Sequence, residues 1–266
     1  MSNNSVVVTG CGDGLGRAIF EELISDGWAV VGLERDEGRA ADARGVAGAG
    51  DVVLGDASSR EDLARASARA VELAPLGGWV NNAAVALRGN MHEPVVAEVD
   101  TAISINLMGY FWGCSEAVQT FIRQKSGGAI VNISSIHAGA SFNGYAAYDV
   151  AKGGVNSMTR YVSVEYGGIG IRANAIEPGA MRTSLLQGVI DEDPDPAQVE
   201  YDMGALHPLD RIGEPSEVAT VAAFLLSPGA SFVSGAILPV DGGATARCYR
   251  FETDPNLMER YGKMQP

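Results

Sequence analysis

Short runs of β-branched and apolar residues alternate along this chain with longer stretches whose apolar positions recur every three to four residues. Ser5-Val6-Val7-Val8-Thr9 reads as a strand, and after a glycine-rich loop Leu15, Ile19, Leu23 and Ile24 fall on one helical face. Further strands are predicted at 28–33, 52–54 and 79–81, separated by helices at about 36–44 and 59–73. The second half repeats the rhythm. It predicts a long helix near 101–124, a strand at 129–133, a helix near 145–167, a strand at 171–176, a helix near 215–226 and a closing strand at 236–240. A strand–helix alternation sustained this long calls for parallel strands joined by right-handed crossovers.

The fold class expected is therefore α/β: one Rossmann-type domain over 1–243, with a doubly wound parallel seven-stranded sheet and helices on both faces. Residues 183–212 break the rhythm and hold the acidic, proline-punctuated run Asp191-Glu192-Asp193-Pro194-Asp195-Pro196. That run reads as a solvated turn, and an irregular insertion of this length in a compact domain reads as a substrate loop or lid. The tail at 244–266 carries Tyr249, Phe251, Leu257, Met258 and Tyr261. A monomer has little reason to expose these groups together, so the tail is expected to pack on a neighbouring subunit.

Composition narrows the function. A net charge of −14 repels phosphate backbones and anionic lipid, which argues against nucleic-acid or membrane partners. No apolar run reaches the ~18 residues needed to cross a bilayer, and the first residues lack a signal peptide's basic start, so a cytoplasmic protein is expected. Cys11, Cys114 and Cys248 show neither metal-ligand nor redox-pair spacing. No metal site is expected, and Cys11 reads as a small filler within the glycine loop.

That loop, Thr9-Gly10-Cys11-Gly12-Asp13-Gly14-Leu15-Gly16, lies between the first strand and its helix. Gly10 suits the turn, Gly14 lets backbone approach a pyrophosphate, Gly16 lets helix and strand pack closely, and the helix N-terminus offers N–H groups to phosphates. About 20 residues on, Glu34 ends the second strand, where a carboxylate accepts from both ribose hydroxyls. A 2′-phosphate would meet Glu34 and Asp13 against one nearby Arg35, which favours NAD over NADP.

Tyr148 and Lys152 are four residues apart on a predicted helix and share a face. A free tyrosine, with a pKa of about 10, is a poor base at neutral pH, and a nearby ammonium favours its phenolate form. Here the chain resembles the short-chain dehydrogenase/reductase family over nearly its whole length. The resemblance is carried in order by Thr9 to Gly16, Asp56-Ala57, Asn81-Asn82-Ala83-Ala84, Asn106, Ser134-Ser135 with Tyr148-x-x-x-Lys152, and Pro178-Gly179 with Thr183. Val233-Ser234-Gly235 and Val240-Asp241-Gly242-Gly243 resemble the family's last strand.

The resemblance implies Tyr148 as general acid/base, Lys152 as the group that lowers its pKa and holds the nicotinamide ribose, and Ser135 as the hydrogen-bond partner of the substrate oxygen. It implies that Asn106 kinks its helix and holds a water linking Lys152 to solvent. For the cofactor it implies Asp56 at the adenine amino group, Ala57 at the ring, Asn82, Ala83 and Ala84 near the adenosine ribose and strand end, and Pro178, Gly179, Met181 and Thr183 at the nicotinamide. Ala84 replaces a usual glycine and Ser234 a common threonine. Glu177 stands where a small residue is usual and reads as a carboxylate paired with an arginine.

By position the substrate pocket is lined by Ser135, His137, Asn143, Tyr145, Met181, Leu185 and Leu186, with Ala140 and Ala180 beside them, which suits a small cyclic or aliphatic secondary alcohol. His137 reads as a hydrogen-bonded histidine at the rim. Three functions fit: an NAD-dependent alcohol dehydrogenase or ketone reductase, a 3-oxoacyl-[acyl-carrier-protein] reductase, and a catalytically silent NAD-sensing binding protein. The acidic surface opposes the second, whose carrier-protein partner is itself acidic, and the intact catalytic set opposes the third. Small residues on the helix near 145–167 suit a close helix partner across a two-fold axis, and the resemblance points to a homotetramer.

Overall fold

The computed structural model describes residues 4–46 and 50–248. Among them seven parallel strands form one sheet in the order β3-β2-β1-β4-β5-β6-β7. In chain order these are β1 (Ser5–Thr9), β2 (Ala29–Glu34), β3 (Gly50–Leu54), β4 (Leu76–Asn81), β5 (Gly128–Ile133), β6 (Ile171–Pro178) and β7 (Ile237–Val240). β1 is buried along its length, as a parallel strand covered on both faces must be.

The helices divide between the two faces. On one face α1 (Gly14–Ser25) packs against α9 (Pro215–Leu226), with Ile19, Phe20, Leu23, Val218 and Ala222 in the core. On the other lie α3 (Arg60–Leu73), α5 (Tyr110–Gln124) and α6 (Ala146–Tyr166), burying Leu63, Ala66, Cys114, Phe121 and Val162. α2 (Glu37–Arg44) leads into β3.

The strand order reverses between β1 and β4, which opens a crevice at their carboxyl ends. Asn82 spans it: its amide donates to the carbonyls of Thr9 (3.0 Å) and Gly10 (3.1 Å). The Thr9 hydroxyl answers by accepting from the N–H groups of Asn82 and Ala83. One strand-end pair thus fixes the glycine loop against the rest of the sheet.

Two expectations change. The long helix near 101–124 is instead α4 (Val96–Ile103), a wide π-helical turn at Ser104–Gly109, and α5. Both ends of the buried Asn106 amide bond the backbone of Val85, with Nδ2 donating to its carbonyl and Oδ1 accepting from its N–H, each at 2.8 Å. A helix that must swing one side chain onto a neighbouring segment widens there.

Residues 183–212 are not irregular: they contain α7 (Ser184–Asp191) and α8 (Pro196–Ala205). Thr183 caps the first by accepting from Leu186, and Asp195 caps the second with Pro196 following, so the proline-rich acidic run is a helix start as well as an exposed turn. The aromatic tail residues from Tyr249 onward lie outside the described residues. The described start of the tail folds back on its own chain. Asp241 accepts from Gly243, Thr245 N–H and the Thr245 hydroxyl, and Arg247 donates to the Ala205 carbonyl that ends α8.

β4 and α5 meet so closely at Gly113 that an added Cβ would collide with the Asn81 side-chain oxygen, itself bonded to Trp79 Nε1 at 2.8 Å. Gly113→Ala is expected to destabilise the fold by about 1–3 kcal/mol, the usual cost of overpacking, in urea unfolding followed by circular dichroism.

Candidate active site

At the carboxyl edge of the sheet, β5 delivers Ser134 and Ser135 and α6 delivers Tyr148 and Lys152. Ser135 is buried in extended backbone, and its hydroxyl accepts from the His137 N–H at 3.2 Å. Tyr148 lies close enough to Ser135 for that hydroxyl to favour the phenolate, but burial dominates and pushes the phenol up to about 12. Lys152 has no exposed surface, and burial pushes its ammonium down to about 7. In this site, therefore, burial governs the Tyr148 proton, in place of the pull of the ammonium that helix spacing alone leads one to expect.

The Lys152 ammonium does not point directly at the Tyr148 oxygen. Nζ donates to the Ile133 carbonyl at 2.7 Å and to the Tyr110 hydroxyl at 3.0 Å, and stands 5.5 Å from the centre of the Tyr148 ring. Of its three N–H bonds, two are thus spent on the protein. Asn106, whose amide is committed to Val85, touches this cluster only through the helix that carries both it and Tyr110.

His137 stacks on Phe142 with ring centres 4.3 Å apart and stands edge-on to Tyr148 and Tyr145. Its Nδ1 is 2.6 Å from Asp149 Oδ1, which fixes the ring beside Tyr148. Tyr145 is held by Arg88, whose Nε donates to its hydroxyl. Asn143 and Leu185 are exposed at the rim, and Leu186 is half-buried. Met181 is buried against Gly213 and lines a cavity with Ala180, His207, Val240 and Asp241.

His207 orders the floor of that cavity. Its Nε2 accepts from the Ala180 N–H at 3.1 Å, which leaves Nδ1, 3.3 Å from the Gly204 carbonyl, as the protonated nitrogen. The imidazole thereby joins the end of α8 to the Pro178-Gly179-Ala180 turn. The Glu177 carboxylate is not paired with arginine. It accepts from Asn156 Nδ2 at 2.7 Å, because Arg172 on the same strand is spent on the carbonyls of Leu225, Leu226, Ser227 and Val233.

The glycine loop forms a cradle that fits a dinucleotide. Gly10 and Gly14 have positive φ (+66° and +53°), and a Cβ on Gly16 would collide with the Gly10 carbonyl oxygen. Helix geometry leaves the N–H groups of Leu15 and Gly16 without intrahelical acceptors at the mouth of the loop. Asp13 caps α1 by accepting from Gly14, pairs with Arg39 at 3.5 Å, and accepts from the Ser184 hydroxyl, so α7 closes onto the loop. Thr183 faces Gly14 at the same seam.

Glu34 is buried and accepts from the N–H groups of Gly12 (3.0 Å), Arg35 (2.9 Å) and Asp36 (3.0 Å). A carboxylate has about four lone-pair sites, so one remains for a ligand hydroxyl. Asp56 spends Oδ1 on the N–H and hydroxyl of Ser58, and the Ala57 carbonyl lies against Gly109 of the wide turn. Ala84 is exposed at the end of β4, while the Asn82 side chain is consumed bracing the loop. Cys11 is buried, and burial pushes its thiol up to about 12, as suits a filler.

Sequence reasoning missed Tyr110, Asp149, Arg39 and His207. Tyr110 was legible as Asn106 plus one turn, and Asp149 as Tyr148 plus one. His207 was hidden in a segment taken for irregular.

A family profile described as enoyl-(acyl carrier protein) reductase matches residues 10–245. The chain is 35% identical to 3beta-hydroxysteroid dehydrogenase 1 of Eggerthella lenta, over 92% of this chain and 95% of that one. It is 38% identical to cis-4-hydroxycyclohexanecarboxylate dehydrogenase of Sinomonas cyclohexanicum, over 90% and 96%. Its fold superposes on the crystal structure of levodione reductase with a TM-score of 0.88 at 30% identity, covering 94% of this chain and all of that one.

A buried lysine whose pKa falls from 10.5 to about 7 makes the unfolded chain bind more protons than the folded one between those values. The Lys152 contribution to stability therefore rises with pH from about 7 to 10.5. Lys152→Met is expected to melt higher than the wild type at pH 6–7 and to lose that advantage as pH rises, which differential scanning calorimetry across the range would read.

Proposed function

The chain belongs to the short-chain dehydrogenase/reductase family, whose members work with a nicotinamide cofactor, and we propose that it is an NAD-dependent dehydrogenase of small cyclic secondary alcohols. It is an oxidoreductase acting on an alcohol/carbonyl pair, and the cofactor choice and substrate class are the proposed part. The observation that carries the reading is the convergence of Ser135, Tyr148 and Lys152 at the carboxyl edge of the sheet, beside the glycine cradle.

When bound, the dinucleotide supplies the two-electron acceptor. Gly10, Gly12, Gly14, Leu15 and Gly16 would hold its pyrophosphate, Glu34 a ribose hydroxyl, Asp56 and Ala57 the adenine, and Pro178, Gly179, Met181 and Thr183 the nicotinamide end. Ser135 donates its hydroxyl proton to the substrate oxygen and steadies charge there. Tyr148 takes the proton of the substrate hydroxyl at its own oxygen as the carbonyl forms, and returns it in the reverse direction. The remaining Lys152 N–H serves a ribose hydroxyl.

NAD is favoured because the buried Glu34 carboxylate and Asp13 would both face a 2′-phosphate, while Arg39 is already paired with Asp13. Two of the relatives are named for a hydroxyl on a steroid or a cyclohexane ring, and the Met181, Leu186 and Tyr145 surroundings have the apolar character such a ring needs. The 3-oxoacyl-[acyl-carrier-protein] reductase reading is weaker, since a chain of charge −14 repels an acidic carrier. A silent NAD-sensing role has no use for an intact tyrosine, lysine and serine set.

A homotetramer is supported by two exposed apolar faces, one on α5 and α6 (Phe111, Ile122, Tyr161, Val164) and one near the β7 edge (Phe224, Phe232, Leu238). Two different isologous contacts build a tetramer with two-fold axes. No described helix is long and apolar enough to cross a membrane, and a cytoplasmic location is part of the proposal. The tail beyond Tyr249 is proposed to reach a neighbour's substrate loop, as Arg247 already reaches α8 of its own.

Tyr148→Phe should retain its fold and NADH binding and lose at least ~100-fold in turnover with a panel of cyclic secondary alcohols. Activity within a few-fold of wild type would refute the assignment. Glu34→Ala should raise the KM for NAD and narrow the NAD/NADP preference, and a wild-type preference for NADP would overturn the cofactor reading.

A further inference from the structure

Tyr110 is buried between β4, β5 and α6, one turn beyond Asn106, at the start of α5. Its hydroxyl sits among three partners. It is 3.0 Å from the Asn82 carbonyl and 2.9 Å from the Ile133 carbonyl, and it accepts from Lys152 Nζ at 3.0 Å. A phenol has one proton, so the two carbonyls share it, and the oxygen lone pairs face the ammonium. The ammonium also stands 4.5 Å from the Tyr110 ring centre, where the negative face of the ring attracts it.

We propose that Tyr110 is a positioning residue for the reaction: its hydroxyl, oriented by the carbonyls of Asn82 and Ile133, accepts a hydrogen bond from Lys152 and so holds that side chain charged and aimed beside Tyr148. The inference rests on the reading of Tyr148 as the acid/base. Among the described residues no carboxylate pairs with Lys152; its partners from β5, α5 and α6 are the Ile133 carbonyl, Tyr110 and the Tyr148 ring. With burial working against its charge, every acceptor counts. Tyr110 is unsuited to be the base itself, because its proton is held by the carbonyls of Asn82 and Ile133.

The hydroxyl also couples two parts of the cradle. Asn82 accepts from Tyr110 through its carbonyl and braces Thr9 and Gly10 through its amide. The lysine and the glycine loop are therefore registered to each other through one phenol.

The test is Tyr110→Phe, which removes the oxygen and keeps the ring. A hydrogen bond to a charged group is worth enough to move the lysine by about one pH unit. Without it Lys152 loses its proton at lower pH, so the limb of the pH profile that reports the charged lysine, near 7 in the wild type, should move down by about one unit, with roughly tenfold less turnover on that limb. Loss of activity that is uniform in pH, or an unshifted profile, would overturn the proposal. Site-specific 3-fluorotyrosine at 110, which weakens the oxygen as an acceptor with little change of shape, should shift the same limb by a smaller amount, and its failure to do so would also count against it. Tyr148→Phe assayed in parallel separates the two readings: if it is inactive while Tyr110→Phe is unshifted, only the role of Tyr110 falls.

Discussion

The interaction on which the rest of this structure depends is the burial of a lysine side chain without an acidic partner. Desolvating an ammonium costs several kcal/mol unless oxygen acceptors meet it, and here the protein supplies two, the Ile133 carbonyl at the end of β5 and the Tyr110 hydroxyl at the start of α5. Both acceptors are fixed by the backbone that carries them. Ile133 ends the central strand of the catalytic edge, and Tyr110 follows directly on the wide turn that swings Asn106 onto Val85. The wide turn, the strand end and the lysine form one arrangement, and it places a buried amine beside the Tyr148 ring.

The cofactor side of the molecule obeys a different rule, close approach of backbones. Asn82 and Thr9 lock β4 to the glycine loop, while Asp13 and Ser184 lock the loop to α7. α8 is in turn tied to the Pro178-Gly179-Ala180 turn by His207 and to the start of the tail by Arg247. The 183–212 segment is thus anchored at both of its ends, by Ser184 to the glycine loop and through His207 to Ala180.

Much of this was legible in the sequence because parallel strands buried on both faces leave unmistakable apolar runs, as at Val6-Val7-Val8 and Ile130-Val131. The glycine loop was legible from its place between the first strand and its helix, Glu34 from its place at the end of the second strand, Tyr148 and Lys152 from one helical turn of spacing, and Ser135 from the family resemblance. The break at 104–109 left no period of its own, since a π turn is dictated by where Asn106 must reach in space, and only the family resemblance placed a kink at Asn106. The helices α7 and α8 were hidden by glycine, proline and acid in a segment whose caps, Thr183 and Asp195, resemble turn residues. Glu177 was assigned an arginine because charge pairing is the commonest fate of a carboxylate, whereas the strand places it opposite Asn156. Tyr110 was not singled out, because nothing in its local pattern reveals a hydroxyl partner 42 residues away.

The chain has three lysines, Lys125, Lys152 and Lys263, which makes the central claim directly measurable. Protein labelled with 13C at the lysine Cε would give three resonances, assigned with Lys152→Arg, and their shifts could be followed from pH 5 to 11. The account predicts that the Lys152 signal titrates near 7, far below the usual 10.5, and moves when NADH is added. If all three signals instead titrate above pH 10, the ammonium is not desolvated as described, and the account of the site fails with it.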